Sequence, residues 1–213
     1  MDAKRMVPVL HVLEGRVVDP VDGSVLGLPT LWARRLEMEG ADEILFVERG
    51  RGRRLRQAWL TETARTVFIP LVLEAPFEDE VEVAEALADG ADKIVIPVAD
   101  LPGFVSPRYG RTRIVAAVGA GGAPVHGWNE FHRGGLDAAH AGELLLTAEG
   151  DDVGALCARI ARFSIPLVLR CADPVLAGEA LGHGADGIAF PAGRRTSAAF
   201  KALLGSGSVP IRR

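Results

Sequence analysis

Two stretches of this sequence are near copies that differ in the residue best equipped for chemistry. Ile69-Pro70-Leu71-Val72-Leu73 runs into Glu74, and Ile165-Pro166-Leu167-Val168-Leu169 runs into Arg170. A carboxylate and a guanidinium at equivalent places in two similar halves face each other if the halves close on one another. They then either pair, the planar Arg fork on the carboxylate forming a structural plug, or they are bridged by a zwitterionic or carboxylate-bearing ligand. His11, at the end of the first apolar run, is a candidate general base titrating near neutrality, with a hydrogen-bonded lining residue as the plainer reading. Cys171, next to Arg170, is either a thiolate favoured by the guanidinium or a small buried apolar side chain. His11, Glu74 and Glu149 together would suit a hard or borderline metal ion, but one histidine is a thin basis, and we predict neither metal nor cofactor. Glu48-Arg49-Gly50-Arg51-Gly52-Arg53-Arg54 places four arginines in seven residues. With Arg194 and Arg195 they form a candidate electropositive rim for a phosphorylated or nucleotide ligand. No aromatic residues interleave for base stacking, which argues against nucleic acid.

These residues need elements to hold them. Eight short apolar runs can be read as buried strands: Met6 to Val12, Glu43 to Val47, Phe68 to Leu73, Lys93 to Val98, Arg113 to Val118, Glu143 to Thr147, Pro166 to Leu169 and Gly187 to Phe190. The stretches between them carry helical stripes, as in Val81, Ala84, Leu87 and Ala88, in Val153, Leu156, Cys157 and Ile160, and in Ala199, Phe200, Leu203 and Leu204. Alternation of this kind signals a parallel sheet with helical crossovers. Gly40-Ala41-Asp42, Gly90-Ala91-Asp92 and Gly184-Ala185-Asp186 recur, with Ala141-Gly142-Glu143 as a looser fourth copy. Each copy ends a helix at a residue tolerant of positive φ and then enters a strand. Eight parallel strands in two similar halves predict a (βα)8 barrel, one domain over residues 1–213 with half-barrels of about 1–105 and 106–213. An open doubly wound sheet would require a phosphate-binding glycine turn after the first strand, and Leu10-His11-Val12-Leu13-Glu14-Gly15 is not one. Pro102, Gly103 and Pro107, then Gly119 to Pro124 and Gly134-Gly135, predict a barrel shortened around its fourth and fifth helices, where self-association would complete the cover.

Side chains alternate along a strand. If Arg5 lines the bottom of the first strand, Val7, Val9 and His11 also point inward; Glu74 stands above Val72, Thr147 above Glu143 and Leu145, and Arg170 above Val168.

The composition sets outer bounds. With 48% hydrophobic and 24% charged residues, the chain can bury enough apolar surface to offset its conformational entropy, which excludes disorder. A net charge of −4 gives no global basic field for nucleic acid or an anionic membrane. Without an apolar run of roughly 18 residues or a signal-like start, we expect a cytoplasmic, non-membrane protein. Cys157 and Cys171 lie at neither disulfide-framework nor zinc spacing.

Ala3-Lys4-Arg5, Leu10-His11-Val12, Glu14-Gly15-Arg16-Val17-Val18, Gly40-Ala41-Asp42-Glu43, Gly90-Ala91-Asp92-Lys93 and Gly142-Glu143-Leu144-Leu145-Leu146-Thr147, in that order and at those spacings, resemble the cyclase subunit of imidazole glycerol phosphate synthase. The likeness extends to its sister isomerase of histidine biosynthesis and covers nearly the whole chain. The resemblance implies a lyase-type reaction carried by two aspartates at the catalytic mouth, as general acid and base. The matching positions here are His11 and Gly119. It also implies phosphate grips at the ends of strands three, four, seven and eight. Those positions read Glu74-Ala75-Pro76, Pro97-Val98, Arg170-Cys171-Ala172 and Pro191-Ala192, which put a carboxylate and prolines where backbone donors should be. Asp152 falls where the family has an acidic active-site residue, although an acidic start to a helix explains it equally.

At the opposite mouth the family has a ring of four charged side chains, below which a glutaminase subunit docks. The matching residues are Arg5, Glu43, Lys93 and Glu143, with Asp92 beside Lys93; mutual neutralisation of charges at a barrel floor is the plainer reading. The chain is thus expected to be a divergent relative without the parent reaction, acting as a scaffold or partner-binding subunit. The alternative is an enzyme or sensor of a small anionic or phosphorylated metabolite, using His11, Glu74, Thr147 and Arg170 with the arginine rim.

Overall fold

The computed structural model describes residues 4–50, 52–101, 109–118, 141–147 and 165–192. Eight parallel strands close into a barrel in chain order: β1 (Arg5–Leu13), β4 (Ile44–Glu48), β5 (Leu71–Glu74), β6 (Lys93–Pro97), β7 (Ile114–Val118), β8 (Glu143–Thr147), β9 (Leu167–Arg170) and β10 (Gly187–Pro191). Closure is made by β10 pairing with β1, Arg5 opposite Gly187 and Val9 opposite Pro191, so the open sheet is excluded. Helices α1 (Pro29–Met38), α2 (Arg53–Ala64), α3 (Glu80–Ala88) and α4 (Pro174–Gly182) lie between consecutive strands. This is the (βα)8 architecture. The expected shortening around the fourth and fifth helices, and the stripes at 153–160 and 199–204, fall largely or wholly outside the described residues.

The alternation of each strand separates two cores. Val7, Val9, Leu45, Val72, Val95, Val115, Ala117, Leu145, Val168 and Ala189 fill the lumen, the packed interior expected of such a barrel. Residues of opposite parity, Leu10, Phe46, Leu73, Ile94, Leu144 and Phe190 among them, pack outward against the helices. Helix α2 answers with Arg56, Trp59, Leu60 and Thr63, one buried face at helical spacing. Helix α3 departs from the expected stripe, because its buried residues are Val83, Ala86 and Leu87 while Val81 is 60% exposed. Valines at both 81 and 83 supply two rival stripes, and only packing chooses between them.

The Gly-Ala-Asp repeat proves to be a clasp. Asp42, Asp92 and Asp186 each accept a hydrogen bond through Oδ2 from one backbone N–H of the preceding barrel strand, that of Met6 (2.7 Å), Leu71 (2.9 Å) and Leu167 (2.8 Å) respectively. Each also donates its own N–H to the carbonyl of that same residue. Gly40, Gly90 and Gly184 take φ of 90°, 122° and 102°, the left-handed backbone that glycine adopts most cheaply. In the fourth copy Gly142 donates to the Ile114 carbonyl, but a Cβ there would lie 2.7 Å from Thr112 Cα and 2.8 Å from the Arg111 carbonyl oxygen. The 3-10 turn Arg111–Arg113 occupies the space that an aspartate would need.

Two differences from the sequence expectation bear on the mouth. The run from Phe68 becomes a strand only at Leu71, because Pro70 has no N–H for the ladder, and Phe68 is 97% exposed. Two short strands, β2 (Arg16–Val18) and β3 (Val25–Gly27), extend the sheet beyond the barrel. At the top of β1, where β10 has ended, β2 pairs antiparallel, His11 opposite Val18 and Leu13 opposite Arg16. Glu14 and Gly15 turn the hairpin with φ of 49° and 72°, the pair of positive angles that two-residue turns favour.

Candidate functional site

The floor of the lumen carries four charges, each placed by the residue before it. Asp42, Asp92 and Gly142 fasten the chain to the preceding strand, so the next residues, Glu43, Lys93 and Glu143, turn inward by strand alternation. Arg5 joins them from β1. Arg5 Nη1 donates to Glu43 Oε1 at 2.7 Å, and Nη2 lies 2.6 Å from Glu143 Oε1. Lys93 Nζ donates to both Glu43 oxygens, at 3.0 and 2.8 Å, and to Glu143 Oε2 at 2.7 Å. All four carboxylate oxygens are therefore met. The glutamate side chains are 9% and 8% exposed and the cations 24% and 19%, so the carboxylates face the lumen and the cations reach the surface. Burial of Arg5 disfavours its charge, but Glu143 and Glu43 outweigh that and hold it above its ordinary value. Asp92, which the sequence reading grouped with this face, is occupied by the Leu71 N–H.

At the other mouth, Glu74 and Arg170 meet across the lumen, as their equivalent positions require. Arg170 Nη2 pairs with Glu74 Oε2 and Nη1 donates to Oε1 at 3.4 Å, a fork on a carboxylate. Their side chains are 26% and 19% exposed. Of the two arrangements that the sequence leaves open, the structure has the direct pair. Thr147 lies beside Arg170 on the neighbouring strand and is half-buried. His11 stands between β4, through Val47, and the hairpin strand β2.

His11 does not titrate near neutrality. Burial, then the positive charges of Arg49 and Arg170, depress it from 6.5 to about 4, against weaker opposition from Glu74 and Asp19. The imidazole is neutral at pH 7 and a poor base. Among the described residues no hydrogen-bond partner meets its buried Nδ1, nor the buried Arg170 Nε. Arg49, on the exposed rim, is the one arginine of the candidate rim among the described residues whose field on His11 is evident. Arg51, Arg194 and Arg195 lie outside the described residues, as do Gly119, Glu149 and Asp152. Cys171 faces away from the lumen, 6% exposed within the core between sheet and helices, with Sγ 3.5 Å from the Asp173 carbonyl oxygen. Neighbours along a strand point to opposite faces, and so Cys171 does not share Arg170's surroundings. Among the described residues no three His, Cys, Asp or Glu side chains gather as a metal site, and no helix is long and apolar enough to cross a membrane.

The sequence reading missed two features. Asp19, in the loop of the added hairpin, acts on His11 with no local signal to announce it. Glu48, at the end of β4, forms a buried pair with Arg56 of α2 at 3.3 Å, and burial raises the Glu48 carboxyl despite that arginine. The Arg56 guanidinium also lies 5.3 Å from the centre of the Phe77 ring. The signal was present, Glu48 and Arg56 being one strand-to-helix loop apart, but the other arginines of that loop obscured it.

No family model matches the chain. It is 32% identical over 166 residues to the imidazole glycerol phosphate synthase subunit HisF of Solibacter usitatus, a match covering 73% of this chain and 65% of that relative. The chain thus spans slightly less than two thirds of the length of the curated relative it matches.

Proposed function

This chain is a divergent HisF-like (βα)8 barrel, and from that premise we propose that it is a partner-binding subunit that has given up the cyclase reaction of its relatives. The observation that carries the reading is the contrast between its two mouths. At the floor, Arg5, Glu43, Lys93 and Glu143 form a complete ring of ion pairs, in the positions where the family docks a glutaminase subunit. At the top, the positions that should grip phosphate hold Glu74 and Arg170, paired across the lumen. A phosphate there meets a carboxylate rather than backbone donors, and repulsion adds to the missing hydrogen bonds. His11 stands where one of the two aspartates is expected and is held neutral; Gly119, at the other, has no side chain with which to move a proton.

The partner with the best claim is a glutaminase-type subunit of the same cell, seated against the floor. The test combines two measurements on the full chain. Size-exclusion chromatography of a mixture with that glutaminase subunit should give a stable complex. An assay with ammonia and the phosphoribosyl-linked pathway intermediate should give no turnover above the uncatalysed rate. Absence of a complex at micromolar concentrations would remove the partner reading. Turnover abolished by His11→Gln would remove the claim of lost chemistry.

A further inference from the structure

We infer that the upper mouth binds a small carboxylate anion on the free edge of Arg170, between Thr147 and His11 and above the pair with Glu74. A guanidinium has five N–H donors in a fixed plane. Glu74 takes the end of that plane, through Nη1 and Nη2. The side edge, Nε–H with the adjacent Nη–H, is a second fork of the same geometry, and two parallel donors on one plane match the two oxygens of a carboxylate. Arg170 Nε is buried without a hydrogen-bond partner among the described residues. A buried donor left unmet carries a desolvation penalty, which an incoming oxygen relieves.

Three further observations point to the same place. His11 Nδ1 is likewise buried without a partner among the described residues, and the imidazole lies within the fields of Arg170 and Glu74 at the same mouth. Thr147 is the strand neighbour of Arg170 and adds a hydroxyl. The lumen-facing residue beside Arg170 on β10 is the small Ala189. The charges select the ligand. Arg49 and Arg170 are opposed by Glu74 and Asp19, which favours a monoanion over a phosphate dianion. Neutral imidazole suits a polar, uncharged group next to the carboxylate, such as a hydroxyl.

The site is independent of the floor and of the partner reading. Its test uses lactate, acetate and inorganic phosphate with the full chain, followed by isothermal calorimetry and by the His11 imidazole resonances in NMR. Lactate should bind saturably, more tightly than acetate and more tightly than phosphate. Glu74→Gln removes a competitor for Arg170 and a repelling charge, and should tighten lactate by about tenfold, the equivalent of one charge-assisted hydrogen bond. Arg170→Gln should weaken it by at least about tenfold, and Thr147→Val by a smaller factor, about threefold. Arg35→Gln, on the outer face of α1 and paired with Glu39, should leave it unchanged. A gain of affinity in Glu74→Gln cannot come from misfolding, so the inference stays testable even if Arg170→Gln fails to fold. It is overturned if lactate binds neither the parent nor Glu74→Gln, if Arg170→Gln binds as the parent does, or if phosphate is the tighter ligand.

Discussion

Acidification should destabilise this protein through His11, and the surroundings of that residue set the direction and scale of the loss. The group titrates near 6.5 in an unfolded chain and at about 4 in the fold, because burial and the charges of Arg49 and Arg170 oppose its protonation. Well above pH 6.5 neither state binds the proton, and His11 contributes nothing to the pH dependence. Between 6.5 and 4 the unfolded chain takes up a proton that the native state refuses, so stability falls as pH falls. The linkage relation gives a loss of about 2 kcal/mol at pH 5 and about 3 kcal/mol at pH 4. These are upper values, since a half-buried imidazole is partly rehydrated. Urea unfolding of the parent and of His11→Gln at pH 7.5, 6, 5 and 4.5 isolates the effect, because every carboxylate and every other histidine is common to both. The parent should lose up to about 2 kcal/mol more than the variant between pH 7.5 and 5. Parallel curves, or an NMR titration of His11 with a midpoint near 6.5, would refute the placement of His11 in the positive field of the mouth.

The floor and the clasp give two further outcomes. Lys93→Met strips Glu43 and Glu143 of a shared cation while leaving both buried, and should cost about 3 kcal/mol in urea unfolding; replacing all four ring residues together by Met or Leu should recover most of that loss. Gly142→Asp, which restores the consensus of the repeat, should destabilise by about 1–3 kcal/mol because the new side chain meets the backbone at Thr112 and Arg111. A neutral or stabilising result by thermal melting would show that the 3-10 turn is not held where it stands.

The barrel was legible because its signals are redundant. Each Gly-Ala-Asp fixes a helix end and a strand start at once, and strand parity then carries Arg5, Val7, Val9 and His11 to one face without further information. The meeting of Glu74 and Arg170 followed from the same repeat, since equivalent places in two half-barrels lie opposite each other. The added hairpin was not legible. Its strands are three residues long, and its turn puts Glu14 at positive φ, a cost that only the finished sheet repays. The acidity of His11 was hidden for a related reason. It depends on Arg49, Asp19 and Arg170, which come from three separate places in the chain, and on burial that no single segment determines. Cys171 and the face of α3 show a third limit, where adjacent residues have similar polarity and packing alone decides which points inward.

The two mouths differ in how freely they can change. At the floor, Asp42, Asp92 and Gly142 hold one strand to the next, and the residue after each is a member of the charged ring. Ring geometry and barrel closure are therefore one structure: displacing Glu43 or Lys93 strains a clasp, and displacing a clasp turns a charge out of the lumen. At the top, His11, Glu74, Thr147 and Arg170 are ladder residues too, opposite Val47, Val95, Arg170 and Ala189, but their side chains take no part in the clasps. Side chains there can be exchanged without opening a clasp. It follows that a loss of partner binding in a floor variant must be compared at equal fraction folded, whereas a change in carboxylate binding in a mouth variant reports on the site itself.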